Sequence, residues 1–238
     1  VSGRENGDNI PHVTKPGEEL SADLNMTLTD FPKRMETIRE NLFAHRLKRV
    51  RPQKDDKILT DWNGLMIAAL AQGARALDEP KYAESAKRAA DFIIKSLRTH
   101  DGRLRHRYSR GQTAVTANLD DYAFLIYGLL ELYETTFEVD YLRTALDLNR
   151  YLMGHFWDEI NGGFYFTADD AENLLVRQKQ IYDGAVPSGN SVAMLNLLRL
   201  ARITADAELE RKSARIGAAF SETVRQQPSA HTQLMAAL

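Results

Sequence analysis

Across residues 58–77, apolar side chains fall on nearly every side of a helical projection: Leu59, Trp62, Leu65, Met66, Ala69, Leu70, Gly73 and Ala74 leave no polar face. That pattern predicts a helix surrounded by protein. After a break at Asp78-Glu79-Pro80 the pattern changes. Tyr82, Ala86, Ala89, Ala90, Phe92, Ile93 and Leu97 form one stripe against a charged face, which predicts a helix covered on one side only. The same pair returns twice. Leu119-Asp120-Asp121-Tyr122 opens a second all-round apolar helix, followed past Glu138-Val139-Asp140 by an amphipathic one from Tyr141 to His155. Asn190-Ser191-Val192 opens a third, followed past Ala205-Asp206 by Leu209, Ala214, Ile216, Ala219 and Val224. Trp62, Tyr122 and Asn190 align by eye as equivalent positions.

A buried helix, a tight turn, an amphipathic helix and a long return, repeated, describe hairpins with one set of helices inside and one outside. The expectation is an all-α fold: an incomplete (α/α) toroid of helical hairpins at about 58–98, 119–156 and 189–226, within a partial barrel spanning 30–238. The returns at Asp101-Gly102 and Asn161-Gly162-Gly163 predict small β-hairpins on one rim. A further helix is predicted from Asp30, with Pro32 in its first turn and Met35, Ile38, Leu42 and Leu47 along one face. Residues 1–29 mix Gly, Asn, Pro and charge without periodicity and read as an extended arm or loop. The absence of an initiator Met and the apolar pattern running into Leu238 read as the ends of a fragment.

A net charge of −2 over 238 residues gives no field to hold a polyanion, so nucleic acid is not an expected partner. The absence of cysteine removes disulfides, thiolate metal sites and thiol nucleophiles within this chain and leaves the compartment open, with a cytoplasmic setting favoured. No apolar run reaches the roughly 18 residues a membrane span needs, so no membrane is expected.

Three stretches carry a resemblance. Asp55-Asp56-Lys57-Ile58-Leu59-Thr60-Asp61-Trp62-Asn63-Gly64-Leu65-Met66, Leu119-Asp120-Asp121-Tyr122-Ala123-Phe124-Leu125 and Asp183-Gly184-Ala185-Val186-Pro187-Ser188-Gly189-Asn190-Ser191 occur in that order. Together they closely resemble the large thioredoxin-domain-containing proteins related to spermatogenesis-associated protein 20. The resemblance implies a six-hairpin toroid similar to six-hairpin glycosidases and N-acylglucosamine 2-epimerases. It also implies a thioredoxin-like domain, absent from this chain, as a companion in the full-length protein.

Each long return should bring the start of an all-round apolar helix to the mouth of the ring, where carboxylates and amides beside aromatics suit a sugar. Asp61, Asp121 and Asp183 are the expected catalytic carboxylates. Trp62, Asn63, His106, Asp120, Tyr122, Tyr182, Ser188 and Asn190 are the expected binding residues. For Asp120 and Ser188 the competing reading is helix capping; for His106, solvated surface among arginines; for Asn190, plain helix initiation. Glycoside cleavage would need two carboxyl groups in different protonation states. Epimerisation beside a carbonyl would need a base near neutral pKa. No metal and no cofactor are expected, since no His pair has ligand spacing. The rival to a carbohydrate-active or carbohydrate-binding barrel is a non-catalytic interaction platform that accompanies the thioredoxin-like domain.

Overall fold

The computed structural model describes residues 12–172 and 174–238, which divide after Asp55 into two compact units. The first holds two helices, α1 (Gly17–Asp23) and α2 (Asp30–Leu47). Helix α1 thus occupies part of the stretch read as an arm, and its Asp23 pairs with Lys15. Helix α2 starts where the sequence places it. Its apolar residues Met35, Ile38 and Leu42 are exposed rather than covered on one face.

The second unit is built from three helical hairpins. Strand β1 (Ile58–Leu59) leads into α3 (Thr60–Leu77), which turns back as α4 (Pro80–Leu97). Strands β2 (Arg105–Ser109) and β3 (Gln112–Thr116) follow, then α5 (Leu119–Thr136) with α6 (Val139–His155), and α7 (Gly189–Thr204) with α8 (Ala207–Gln226). A short 3₁₀ turn and helix α9 (Thr232–Ala236) end the chain. The three strands form one antiparallel sheet in the order β1-β2-β3. The rim hairpin expected from Asp101-Gly102 therefore exists, with its turn displaced to Arg110-Gly111, both in the left-handed region. The second expected hairpin is reduced to a single bridge, Trp157 to Phe164. There Asp158 accepts from the N–H groups of Ile160 and Asn161, at 2.8 and 3.0 Å, and curls the chain into a turn instead of a ladder.

Helices α3, α5 and α7 pack side by side, and α4, α6 and α8 each cover one of them. Helix α5 is the most enclosed, with Leu119, Phe124, Leu125, Ile126, Leu129 and Leu132 all buried. This division follows from the patterning, since an all-round apolar helix loses most by facing water. Each inner helix ends on a non-glycine residue in the left-handed region: Asp78, Phe137 and Ala205. Counted back equally from those three residues, Asp61, Asp120 and Ser188 are equivalent, so in the alignment by eye Tyr122 and Asn190 each slip by one residue relative to Trp62. Among the described residues no helix is long and apolar enough to cross a membrane.

The far ends of the inner helices are joined by one buried carboxylate. Glu131 of α5 accepts from Arg75 of α3 and, at 2.7 Å, from Arg199 of α7. Burial alone would raise the Glu131 pKa, but the two guanidinium groups hold it below the ordinary value. Its stabilisation is therefore present above the unfolded pKa and lost as pH falls through the lower folded one. Glu131→Gln is expected to cost about 1–2 kcal/mol at pH 7, discounted because Arg75 is partly solvated. Urea unfolding should show that difference closing toward pH 3.

Candidate active site

The near ends of α3 and α5 meet strand β2. Thr60, fully buried, donates from Oγ1 to the Arg105 carbonyl at 2.6 Å, and Leu59 pairs with Arg107, so β2 is fixed across the start of α3. Alternation along β2 then turns Leu104, His106 and Tyr108 toward the helices. Leu104 is buried, Tyr108 meets Phe92 edge-on, and His106 reaches Asp121.

Asp121 is the hub of this arrangement and has no exposed surface. Asn118 caps α5 by accepting from the Asp120 N–H at 3.0 Å, and Asp121 Oδ2 accepts in return from the Asn118 N–H at 2.9 Å, a capping box. Asp121 Oδ1 accepts from the Asp61 N–H at 3.1 Å. Both Asp121 oxygens face His106 Nδ1, at 2.9 and 3.1 Å. One carboxylate thus ties the starts of two inner helices to the rim strand, and Nε2 is the imidazole nitrogen turned away from it.

The charges are unevenly matched. The hydrogen bond that His106 donates to Asp121 raises the His106 pKa against the opposing effect of burial. Burial, then the charge of Asp121, raises Asp61, whose Oδ1 accepts from the Trp62 N–H at 2.7 Å. Asp120 is pushed up to about 6, first by burial and then by Asp121 and Asp61. Asp121 and Asp61 flank the imidazole, and of the three carboxyl groups Asp61 and Asp120 are biased toward holding a proton.

The remaining candidate residues fall into two groups. Trp62 is 62% exposed beside Asp61, and Asn63 donates to the Leu59 carbonyl at 2.8 Å, steadying the start of α3. Tyr122 instead lies in the core, where its hydroxyl accepts from the Leu104 N–H at 2.9 Å and its ring stacks on Tyr151. Ser188 caps α7 by accepting from the Ser191 N–H. Asn190 is fully buried, and its amide bonds both backbone groups of Phe164 and the Gln180 carbonyl, locking the return segment onto α7. Asp183 accepts from the N–H groups of Ser188, Gln233 and Leu234, joining the start of α7 to α9. Tyr182 is exposed. The structure thus gathers Asp61, Trp62, His106, Asp120 and Asp121, while Asp183, Ser188 and Asn190 have their hydrogen bonds taken up by the backbone. Asn118 and Thr60 position the cluster and were not singled out from the sequence, although an Asn three residues before an Asp at a helix start is itself a capping-box signal.

Asp61, His106 and Asp121 offer atoms within 4.8 Å of one another, a spacing compatible with a cation, as do His155, Asp169 and Asp170 on the surface. In the first trio the Asp121 oxygens already accept from two backbone N–H groups and face the imidazole, an arrangement satisfied by a shared proton.

No protein-family model matches this sequence. Rat spermatogenesis-associated protein 20 is 33% identical over 248 residues, covering 100% of this chain and 31% of that protein. The human protein of the same name is 35% identical over 232 residues, covering 90% of this chain and 30% of its own length. The chain therefore spans about a third of the length of these curated relatives. Among solved structures, a family 76 α-mannanase from Bacteroides thetaiotaomicron superposes with a TM-score of 0.60 at 20% identity, covering 73% of this chain and 47% of that one. A cellobiose 2-epimerase from Bacillus thermoamylovorans gives the same TM-score of 0.60 and the same coverages, 73% and 47%, at 18% identity. Those likenesses fix the fold as an incomplete (α/α) toroid. The chain is homologous along its length to about a third of spermatogenesis-associated protein 20.

Proposed function

We propose that this cluster binds a carbohydrate and moves a proton on it, with His106 as the exchanging group. The observation that carries the reading is the imidazole pinned through Nδ1 by a carboxylate with no exposed surface, which leaves Nε2 for a ligand. In the neutral form Nε2 can take the proton from the carbon next to an open-chain sugar carbonyl. The electron pair moves onto the carbonyl oxygen as an enediolate. Asp61, half-exposed and biased toward its protonated form, can return a proton to the other face, so atoms and charge balance without a redox partner. Asp121 holds the ring and supports its charge, a positioning role. The toroid fold, shared with a cellobiose 2-epimerase, fits this chemistry, and fold alone does not assign it.

Glycoside cleavage is the second reading, favoured by the likeness to the α-mannanase. It asks for two carboxyl groups free to reach the substrate, and Asp121 is enclosed with its oxygens engaged, which leaves Asp61 and Asp120. The interaction-platform reading would make His106 and Asp121 dispensable for any ligand.

The test is solvent-deuterium wash-in at carbon 2 of simple aldoses and cellobiose, followed by mass spectrometry. Wash-in should rise with pH above the ordinary histidine value, because the raised pKa delays the basic form of His106. His106→Gln should reduce it by about 10²–10⁴-fold. Asp121→Asn should reduce the rate and move the rising limb to lower pH. Absence of wash-in from every aldose, or wash-in untouched by His106→Gln, would overturn the proposal.

A further inference from the structure

We infer that a groove at the end of the first unit, lined by the last turns of α2 and by residues 49–54, docks an extended acidic segment of a partner protein that carries aliphatic side chains. The inference is independent of the carbohydrate reading, since every residue of the groove precedes Asp55, where the first unit ends.

Helix α2 ends in a turn, with the Lys48 N–H donating to the His45 carbonyl at 3.2 Å and the Arg49 N–H to the Arg46 carbonyl at 3.0 Å. The chain then runs to β1 without helix or strand, and both stretches line a groove of about 560 Å³. Three observations point to its occupant. First, its apolar lining is Phe43, Leu47, Val50 and Pro52, with Phe43 58% and Val50 98% exposed. Only one of these is a ring, so the lining suits aliphatic groups better than stacked bases. Second, its charged lining is Arg46, Arg49, Arg51 and Lys54, and no Asp or Glu lines it. None of these cations makes an ion pair or a side-chain hydrogen bond among the described residues, whereas Arg75, Lys87, Arg199 and Lys212 in the second unit each meet a carboxylate. A cation in the last turn of a helix complements its carbonyl end, which accounts for Arg46; Arg49, Arg51 and Lys54 lie beyond that turn. Third, the backbone of residues 50–54 makes no hydrogen bond among the described residues. Pro52 disfavours a helical conformation at Arg51 and so favours an extended one there.

A bilayer would meet the cations and the exposed apolar side chains but not the free N–H and C=O groups. A nucleic acid would meet the cations and find one ring to stack on. An extended acidic peptide answers all three features. Its main chain can pair along residues 50–54, as in the addition of a strand to a free edge. Its side chains point alternately to opposite sides, so aliphatic ones can enter the apolar lining while carboxylates reach the guanidinium groups.

Fluorescence anisotropy of a labelled peptide of alternating glutamate and valine, added to the full chain, tests this. The peptide is expected to bind, less tightly as salt is raised, and at least about tenfold more tightly than counterparts with glutamine for glutamate or serine for valine. Arg51→Glu should weaken binding by at least about tenfold, whereas Lys95→Glu, the same charge change at an exposed position on α4, should leave it unchanged. Val50→Ser should also weaken it while leaving the circular dichroism spectrum unaltered, because that side chain is exposed. Absence of peptide binding, or equal effects of Arg51→Glu and Lys95→Glu, would overturn the inference. So would equally tight binding of the serine counterpart, which would reduce the groove to a patch of charge, or tighter binding of phosphatidylserine vesicles or oligothymidylate. None of these results touches His106-dependent deuterium wash-in, so the two readings fail separately.

Discussion

Gly64→Ala is expected to destabilise the second unit by about 3 kcal/mol or more, although alanine is the better helix former. A Cβ at Gly64 would lie 2.5–2.6 Å from the backbone of Phe124 and Leu125 on α5. From the other side, a Cβ at Gly128 would lie 2.6 Å from the Gly64 carbonyl oxygen and 3.2 Å from Ile67. Helices α3 and α5 thus touch backbone to backbone through this glycine pair, and no flexible side chain can yield. Alanine gains roughly 1 kcal/mol of helix propensity over glycine, but it must push two buried helices apart and open their packing along their length. Gly128→Ala should behave alike, and the double variant should cost clearly less than the sum, since one contact is being broken twice. Gly154, exposed on α6 with nothing within 4 Å of a Cβ, is the internal control: Gly154→Ala should stabilise by roughly 0.5–1 kcal/mol. Urea unfolding followed by circular dichroism reads all four variants. Equal effects at Gly64 and Gly154 would show that propensity rather than close approach governs this crossing. The crossing also sets the site, because the Asp61 N–H to Asp121 bond joins the two helices above it.

That crossing was hidden from the sequence, although the two helices were not. An all-round apolar run beside a one-sided stripe reports burial, which is a local property of composition. For that reason the inner and outer helices of three hairpins were readable from residue types alone. Which glycine approaches which backbone depends on a partner 60 or so residues away and leaves no local mark. The same distinction separates the candidate residues. Asp61, Trp62, Asp120 and Asp121 stand at helix starts, and hairpin topology brings such starts together. Asn190 stands at a helix start too and Asp183 in the return segment just before it, yet their partners include the backbones of Phe164, Gln180, Gln233 and Leu234, which no spacing rule connects to them. His106 was the closest case. Its arginine neighbours suggested solvent, but period-two alternation with the apolar Leu104 and Tyr108 places it on the inward face of β2, and that signal was in the sequence. Asp120 and Asp121 exchange roles for a similar reason. Asn118 supplies the cap, which draws Asp121 into the capping box and leaves Asp120 as the carboxyl without one.

Asp120→Asn should therefore make the protein more stable at neutral pH. Burial and the neighbouring carboxylates push its pKa from the ordinary 3.8 up to about 6 in the folded protein. The folded state then binds more protons than the unfolded chain between those values, so ionised Asp120 opposes folding at pH 7. The full difference corresponds to about 3 kcal/mol, and partial exposure reduces the expected gain to about 2 kcal/mol. The penalty is complete above pH 6 and absent below the unfolded value, so the variant's advantage at pH 7.5 should vanish near pH 3.5. His106 works in the opposite sense. Its raised pKa adds stability that is present below the unfolded value and lost as pH rises through the folded one. Both wild type and variant carry that contribution, so the difference between them isolates Asp120. Urea unfolding at the two pH values decides the matter. A gain at both would mean that asparagine simply packs better, and a loss at pH 7.5 would mean that the Asp120 charge is already compensated. A buried charge that costs stability is the mark expected of a carboxyl kept at a helix start for something other than folding.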